Sequence, residues 1–224
     1  MYSRFVILYT LSEENYLKAI YHLGKQGNEA VNTNAIAEQM DTKASSVTDM
    51  VKKLAEKDLA NYVKYQGVSL TAKGRLTAAS VIRKHRLWEV FLVDKLNFSW
   101  DEVHDVAEQL EHVKSEKLIN ELDAFLEFPT HDPHGDPIPD KNGSMVKNTS
   151  VNLLEVKVGL EGHLIHVKDS SEMFLKYLNK NNLALGVKIK VIDIEPFDGS
   201  IKIAFESKEM IISKLVAENL YLNI

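Results

Sequence analysis

The sequence contains no cysteine. That absence excludes disulfides, thiolate nucleophiles and thiolate metal sites, so any metal held here must be held by oxygen and nitrogen. Proline is scarce too: of the five in 224 residues, four fall between Pro129 and Pro139. Long apolar runs are also missing. The opening Phe5-Val-Ile-Leu-Tyr9 is short for a secretory core and is soon followed by Glu13 and Glu14, and no later stretch approaches a membrane span. A cytoplasmic protein with no membrane partner is the expectation.

What is present is an ordinary globular composition, 45% hydrophobic and 26% charged, with room for one large domain or two to three small ones. The net charge of −5 is unevenly spread. Residues 1–86 carry 13 Lys/Arg against 8 Asp/Glu, whereas residues 87–224 carry 14 against 24. A basic front on an acidic body points to a polyanionic partner for the front.

That front is patterned in a way that names the polyanion. Ser12 suits a helix N-cap with Glu13 and Glu14 behind it, followed by an apolar stripe of Tyr16, Leu17, Ile20, Tyr21 and Leu23. Two short helices follow, over 33–40 and 44–57, joined by Asp41-Thr42-Lys43. This is the pattern of a helix-turn-helix. The outer side of the second helix carries Lys43, Ser45, Ser46, Thr48, Asp49, Lys52 and Lys53, hydroxyls and ammoniums suited to phosphates and base edges. Residues 59–64 and 68–70 read as a hairpin with Lys64, Tyr65 and Gln66 at its tip. The unit is thus a winged helix, and double-stranded DNA is the expected partner.

The middle of the chain carries the metal chemistry. At about 3.6 residues per turn, His104, Glu108, Glu111 and His112 share one stripe of a helix expected to run to about residue 113, capped by Ser99 or Asp101. His85 and Glu89, on a long helix over 71–96, repeat the spacing. Such donors suit a divalent ion; a solvated charged face is the other reading of the same spacing. The proline-rich segment 128–139 adds His131, Asp132, His134 and Asp136, a metal-binding loop or a plain one. Val90, Phe91, Val93, Leu110, Leu118 and Leu122 offer more apolar surface than a small helical subdomain needs, which a two-fold homodimer would bury. A zinc-protease reading fails because Glu108 stands where the first histidine is required, leaving no general base. The last third alternates in strands over 153–158, 164–167, 188–194, 200–205 and 210–212, with turns at Glu161-Gly162 and Asp198-Gly199 and one helix over 171–180. Five short strands around a small core suggest a compact β-barrel.

From Leu11 to Ile224 the sequence resembles the diphtheria-toxin-repressor family of metal-dependent regulators. The resemblance is carried by Glu14-Asn-Tyr-Leu-Lys-Ala-Ile-Tyr21, Ser46-Val-Thr-Asp-Met-Val51, Arg83-Lys-His-Arg-Leu-Trp-Glu89, His104 to His112, and Pro133-His-Gly-Asp-Pro-Ile-Pro139. It implies an α+β multidomain fold: a winged-helix DNA-binding domain (1–75), a helical metal-binding and dimerisation domain (76–140), a linker (141–150) and an SH3-like domain (151–224). It implies a repressor that binds palindromic operators as a homodimer when loaded with Mn²⁺ or Fe²⁺. By motif, Glu108, Glu111 and His112 would ligate the regulatory ion, and His85, Glu89 and His104 a second one, joined by Asp132 or His134 and by Asp169 or Glu172. The sequence departs from the family at Asn15, where an aspartate or methionine ligand is usual, and at Lys18, where two-domain manganese regulators carry glutamate. Iron-sensing members have cysteine at the position of Glu108. The all-oxygen-and-nitrogen set favours manganese over iron. The alternative is a winged-helix regulator with a structural metal only, answering to another ligand through its last domain.

Overall fold

A computed structural model describes residues 9–147 and 149–224. Phe5 to Leu8 of the apolar opening, and Asn148 within the expected linker, lie outside the described residues. The chain forms two compact units. One comprises the residues up to His85 with Leu110–Lys114 and Pro139–Ser144; the other comprises Arg86–Gln109, Ser115–Ile138 and Met145–Ile224.

The first unit begins with α1 (Leu11–Leu23), which starts before the expected cap. Thr10 caps it instead: its hydroxyl accepts from Glu13 N at 3.2 Å, and the Glu13 carboxylate accepts from Thr10 N at 3.0 Å. This reciprocal box needs a Glu or Gln three residues after the cap, which Thr10 has and Ser12, followed by Asn15, does not. Next come α2 (Thr33–Gln39), capped by Asn32, and α3 (Ala44–Glu56). Strands β1 (Ala60–Val63) and β2 (Gly67–Leu70) form the antiparallel hairpin, with Ala60 opposite Leu70. Leu17, Ile20, Ile36, Val47, Val51, Leu54, Leu59 and Val68 are fully buried, so the helices and the hairpin each contribute an apolar face to the core. Helix α4 (Ala72–Leu96) then starts in this unit and continues into the other.

In the second unit, α5 (Val103–Leu110) and α6 (Glu116–Phe125, capped by Ser115) accompany the later part of α4. Leu87, Val90, Ile119, Leu122 and Ile138 form their core, with Trp88, Phe91 and Leu126 against it. Helix α5 ends at Leu110, short of the expected 113, because Val113 N bonds back to Leu110 O in a turn. The rest is an antiparallel six-stranded sheet in the order β3-β8-β4-β5-β6-β7. Its strands are β3 (Val151–Asn152), β4 (Glu161–Val167), β5 (Lys188–Ile194), β6 (Ile201–Phe205), β7 (Lys208–Ile212) and β8 (Leu220–Asn223), with α7 (Glu172–Asn181) and the short α8 (Lys214–Ala217) beside them. The sequence alternation passes over β8, a four-residue strand soon after a helical turn, too short to show a period of its own. The turn expected at Glu161-Gly162 lies inside β4; the chain turns at Gly159, whose φ of 88° suits glycine. Among the described residues no helix is long and apolar enough to cross a membrane.

Candidate metal centres

The stripe expected to carry His104, Glu108, Glu111 and His112 is divided where α5 stops. His104 and Glu108 lie on the helix, while Glu111 and His112 lie in the turn that follows. A turn aims consecutive side chains in directions that helical spacing does not give, so each pair is defined by its own contacts.

In the first unit, the Glu111 carboxylate is wholly buried. Lys18 Nζ donates to both of its oxygens, at 2.8 and 2.9 Å, and His85 Nδ1 lies 2.7 Å from Oε2. Burial alone would raise this carboxyl, but the His85 hydrogen bond and the Lys18 charge hold it below the usual carboxylate range. Beside it, His112 Nδ1 lies 2.6 Å from Glu14 Oε2, and Lys114 Nζ lies 2.6 Å from Glu14 Oε1. With Nδ1 engaged by Glu14, the other ring nitrogen of His112 is left as the donor atom, and it stands 3.7 Å from Glu111 Oε1. A carboxylate that orients a ligating imidazole from behind is a common feature of metal sites. Asn15 Oδ1, on α1, is buried and has no hydrogen-bond partner, so this acceptor can still receive a cation or a hydrogen-bond donor.

The second unit holds another group. One ligand atom each from Glu89, Asp132 and His134 lies within 4.8 Å of the others, all three residues buried. Glu89 comes from α4, a turn after His85 in the same helix. Asp132 and His134 come from the proline-rich loop, whose shape the aspartate sets: Asp132 Oδ1 accepts from His134 N at 2.8 Å and from Asp136 N at 3.0 Å. Gly135 has φ 86°, and a Cβ there would fall 2.0 Å from Ile165 O, so only glycine lets the loop lie against β4. His134 Nε2 is 2.7 Å from Trp100 O, and its Nδ1 is 3.7 Å from Glu89 Oε2. His104 Nδ1 approaches Glu89 Oε1 at 3.5 Å, and its Nε2 lies 3.7 Å from Glu108 Oε1. Burial works against a charge on His134, but the facing Glu89 carboxylate, with Asp132 and the Trp100 carbonyl, pushes its pKa up to about 9. Burial, with the charges of Glu89 and Asp136, raises Asp132 to about 7. A buried cluster with two carboxylates and a proton-holding imidazole is one that a divalent ion would neutralise.

Of the remaining expected ligands, Asp169 Oδ1 accepts from Ser171 N at 2.8 Å, and exposed Glu172 pairs with Lys176. His131 is exposed and bonds Thr130. Four residues that spacing does not mark as site residues complete the two groups: Glu14, legible only as a helix-dipole acid; Trp100, which acts through its carbonyl; His166, 3.6 Å from Asp136 Oδ1; and Arg86. Arg86 is buried and reaches Asp132 at 3.3 Å and Asp136 at 3.1 Å. Its pairing is not marked by spacing, because its carboxylate partners lie far along the chain, beyond α5 and α6.

On the first unit's surface, Lys43, Ser45, Ser46, Asp49, Lys52 and Lys53 are exposed along α3. Thr48 is half-buried, and its hydroxyl donates to Ala44 O at 2.9 Å. Lys43 precedes α3 without a side-chain cap, leaving its first amides available to an anion. Tyr65 stands 93% exposed at the hairpin tip with φ 68°, and Lys64 Nζ lies 4.9 Å from its ring.

Three family models match the chain. "Iron dependent repressor, N-terminal DNA binding domain" matches residues 9–68, "Iron dependent repressor, metal binding and dimerisation domain" residues 71–140, and "FeoA domain" residues 151–223. The iron-dependent repressor IdeR of Mycobacterium bovis is 39% identical over 126 residues, covering 56% of this chain and 54% of that protein. The chain thus spans about half the length of such curated relatives. An uncharacterized HTH-type transcriptional regulator of Methanocaldococcus jannaschii is 35% identical over 116 residues, 52% of this chain and 93% of that protein. A solved structure of a manganese-dependent transcriptional repressor in complex with manganese is 33% identical, covers 94% of this chain and 98% of its own, and superposes with a TM-score of 0.85.

Proposed function

This chain belongs to the iron-dependent repressor family, that of the diphtheria toxin repressor, and from that membership we propose that it is a metal-dependent transcriptional repressor. In this reading it binds palindromic operator DNA as a homodimer when loaded with Mn²⁺ or Fe²⁺, and so controls genes for metal uptake. The observation that carries the reading is the buried Glu89–Asp132–His134 group, which has the donors of a metal site, in a chain that also presents an exposed, uncapped α3.

Two ligand sets are proposed. One comprises Glu108, Glu111, His112 and Asn15, supported by the unpartnered Asn15 oxygen and by the Glu14-oriented imidazole of His112. The other comprises His85, Glu89, His104, Asp132 and His134, with Asp169 or Glu172 as a further acid. Oxygen and nitrogen donors suit manganese, and its relatives include a manganese-dependent repressor; iron is the second candidate. When bound, the ion supplies positive charge that neutralises the carboxylates and links the segments bearing them. Lys43, Ser45, Ser46, Thr48, Asp49, Lys52 and Lys53 would face the major groove, with Lys64, Tyr65 and Gln66 on the flanking backbone. Leu118, Phe125 and Phe128, all substantially exposed, supply apolar surface for a two-fold partner. The domain division proposed is 1–75, 76–140, 141–150 as linker, and 151–224. No catalytic residue is assigned. A coupling of only about 1–3 kcal/mol between metal and DNA would switch operator occupancy.

The test is DNA binding to a palindromic operator upstream of a metal-transporter gene, titrated with Mn²⁺, Fe²⁺ and chelator at fixed salt. Salt is fixed because phosphate contacts alone move affinity by orders of magnitude. Binding that appears with Mn²⁺ and disappears with chelator supports the reading. Equal binding in chelator leaves a DNA-binding protein and removes the metal switch.

A further inference from the structure

Glu111 is a buried carboxylate whose charge is already compensated. Both of its oxygens receive hydrogen bonds from the Lys18 ammonium, at 2.8 and 2.9 Å, and one also faces His85 Nδ1 at 2.7 Å. A buried carboxylate left without such partners would be costly, so a buried acidic site needs a source of positive charge whenever no ion is bound. Here the compensating cation is part of the chain. Lys18 projects from α1 three residues after Asn15, so the two share a face of that helix. The pair presents a neutral amide oxygen and an ammonium where an acidic ligand would have supplied negative charge.

We infer that Lys18 is a tethered cation that competes with the metal for Glu111, so that loading of this carboxylate is an exchange of ammonium for ion rather than simple addition. This rests on the proposal that Glu111 is a metal ligand. The competition follows from charge and geometry together. A divalent ion drawn to Glu111 meets a like charge within hydrogen-bond distance of both oxygens. The ammonium must leave at least one of them before the ion takes its place. Because the competitor is covalently attached, its local concentration is fixed by the fold and does not dilute. Lys18 therefore sets the metal concentration at which this site fills, making it an affinity-determining residue that donates no ligand atom itself.

The experiment uses the full chain and three variants, Lys18→Met, Lys18→Arg and Glu111→Ala, with Mn²⁺ binding followed by calorimetry and unfolding followed in chelator. Lys18→Met keeps the unbranched stem and removes the charge. The expected result is Mn²⁺ affinity at least about tenfold higher at one site, with a lower unfolding temperature in chelator. Lys18→Arg retains the charge and is expected to bind Mn²⁺ within about threefold of the parent. Parental affinity in a folded Lys18→Met variant overturns the inference while leaving Glu111 a ligand. Unchanged Mn²⁺ stoichiometry in Glu111→Ala overturns the ligand assignment beneath it. A second measurement needs no variant: acylation of lysines in the parent chain, read by mass spectrometry with and without Mn²⁺. Lys18 is expected to react at least about threefold faster in the loaded protein, and equal reactivity in both states overturns the exchange.

Discussion

The main-chain carbonyl of Trp100 lies 2.7 Å from Nε2 of His134 and so determines which nitrogen of that imidazole faces Glu89. A carbonyl only accepts, so Nε2 carries a proton and Nδ1 becomes the donor atom available to an ion. The tautomer is thereby set by backbone 34 residues upstream, before any metal arrives.

This relationship predicts a selective loss. His134→Ala removes the oriented nitrogen but none of the first unit's side chains. One Mn²⁺ fewer per chain is expected by metal analysis after dialysis, with the remaining ion retained. An unchanged count would remove His134 from the ligand set.

The same cluster predicts a pH dependence. In the folded chain the pKa of His134 is raised to about 9 and that of Asp132 to about 7, so both hold protons more tightly than when unfolded. The histidine's contribution to stability is full below its unfolded value near 6.5 and is lost as pH rises through 9; the aspartate's is lost between about 4 and 7. Metal needs both groups deprotonated. The metal-free protein should therefore lose stability from about pH 6 to 9 while Mn²⁺ affinity rises. The gap between melting temperatures in Mn²⁺ and in chelator is expected to widen over that range; a constant gap contradicts the assignment.

Glu14 is predicted to act through His112. Glu14→Gln keeps a hydrogen-bonding group at the carboxylate's place, now 2.6 Å from Nδ1, but loses the charge that makes the ring a better donor. Loss of such an orienting partner typically costs about 10- to 100-fold in metal affinity. Calorimetry should show that weakening at one site with the fold intact by circular dichroism, and parental affinity would make Glu14 a purely structural acid.

The exposed lysines of α3 predict a salt signature. Lys52→Ala with Lys53→Ala should weaken binding to operator and non-operator DNA alike, and lower the slope of log affinity against log salt by about 1 for each phosphate no longer neutralised. A change confined to the operator would mean that these lysines read bases instead.

Much of the architecture was legible along the chain because it is written in local patterns. The apolar stripes of α1 and α3, the Gly67 hairpin and the alternation of β5 and β6 each depend on neighbours within a turn or a strand. The types of candidate ligand were limited as well, since a sequence with no cysteine and with histidines and acids at helical spacing leaves few alternatives. What spacing could not settle was which donors meet. The expected helical stripe of His104, Glu108, Glu111 and His112 is interrupted because α5 stops at Leu110, and a periodicity does not announce its own last residue.

The sequence by itself determined most of the helices and strands, the absence of thiolate donors and the motifs of the family. Only the tertiary structure decided that Lys18 sits on Glu111, that Glu14 backs His112, that Trp100 turns His134 and that Arg86 anchors the loop aspartates. The reason is physical: buried charges must find partners, and the partner is chosen by three-dimensional proximity between distant parts of the chain, which no local pattern encodes.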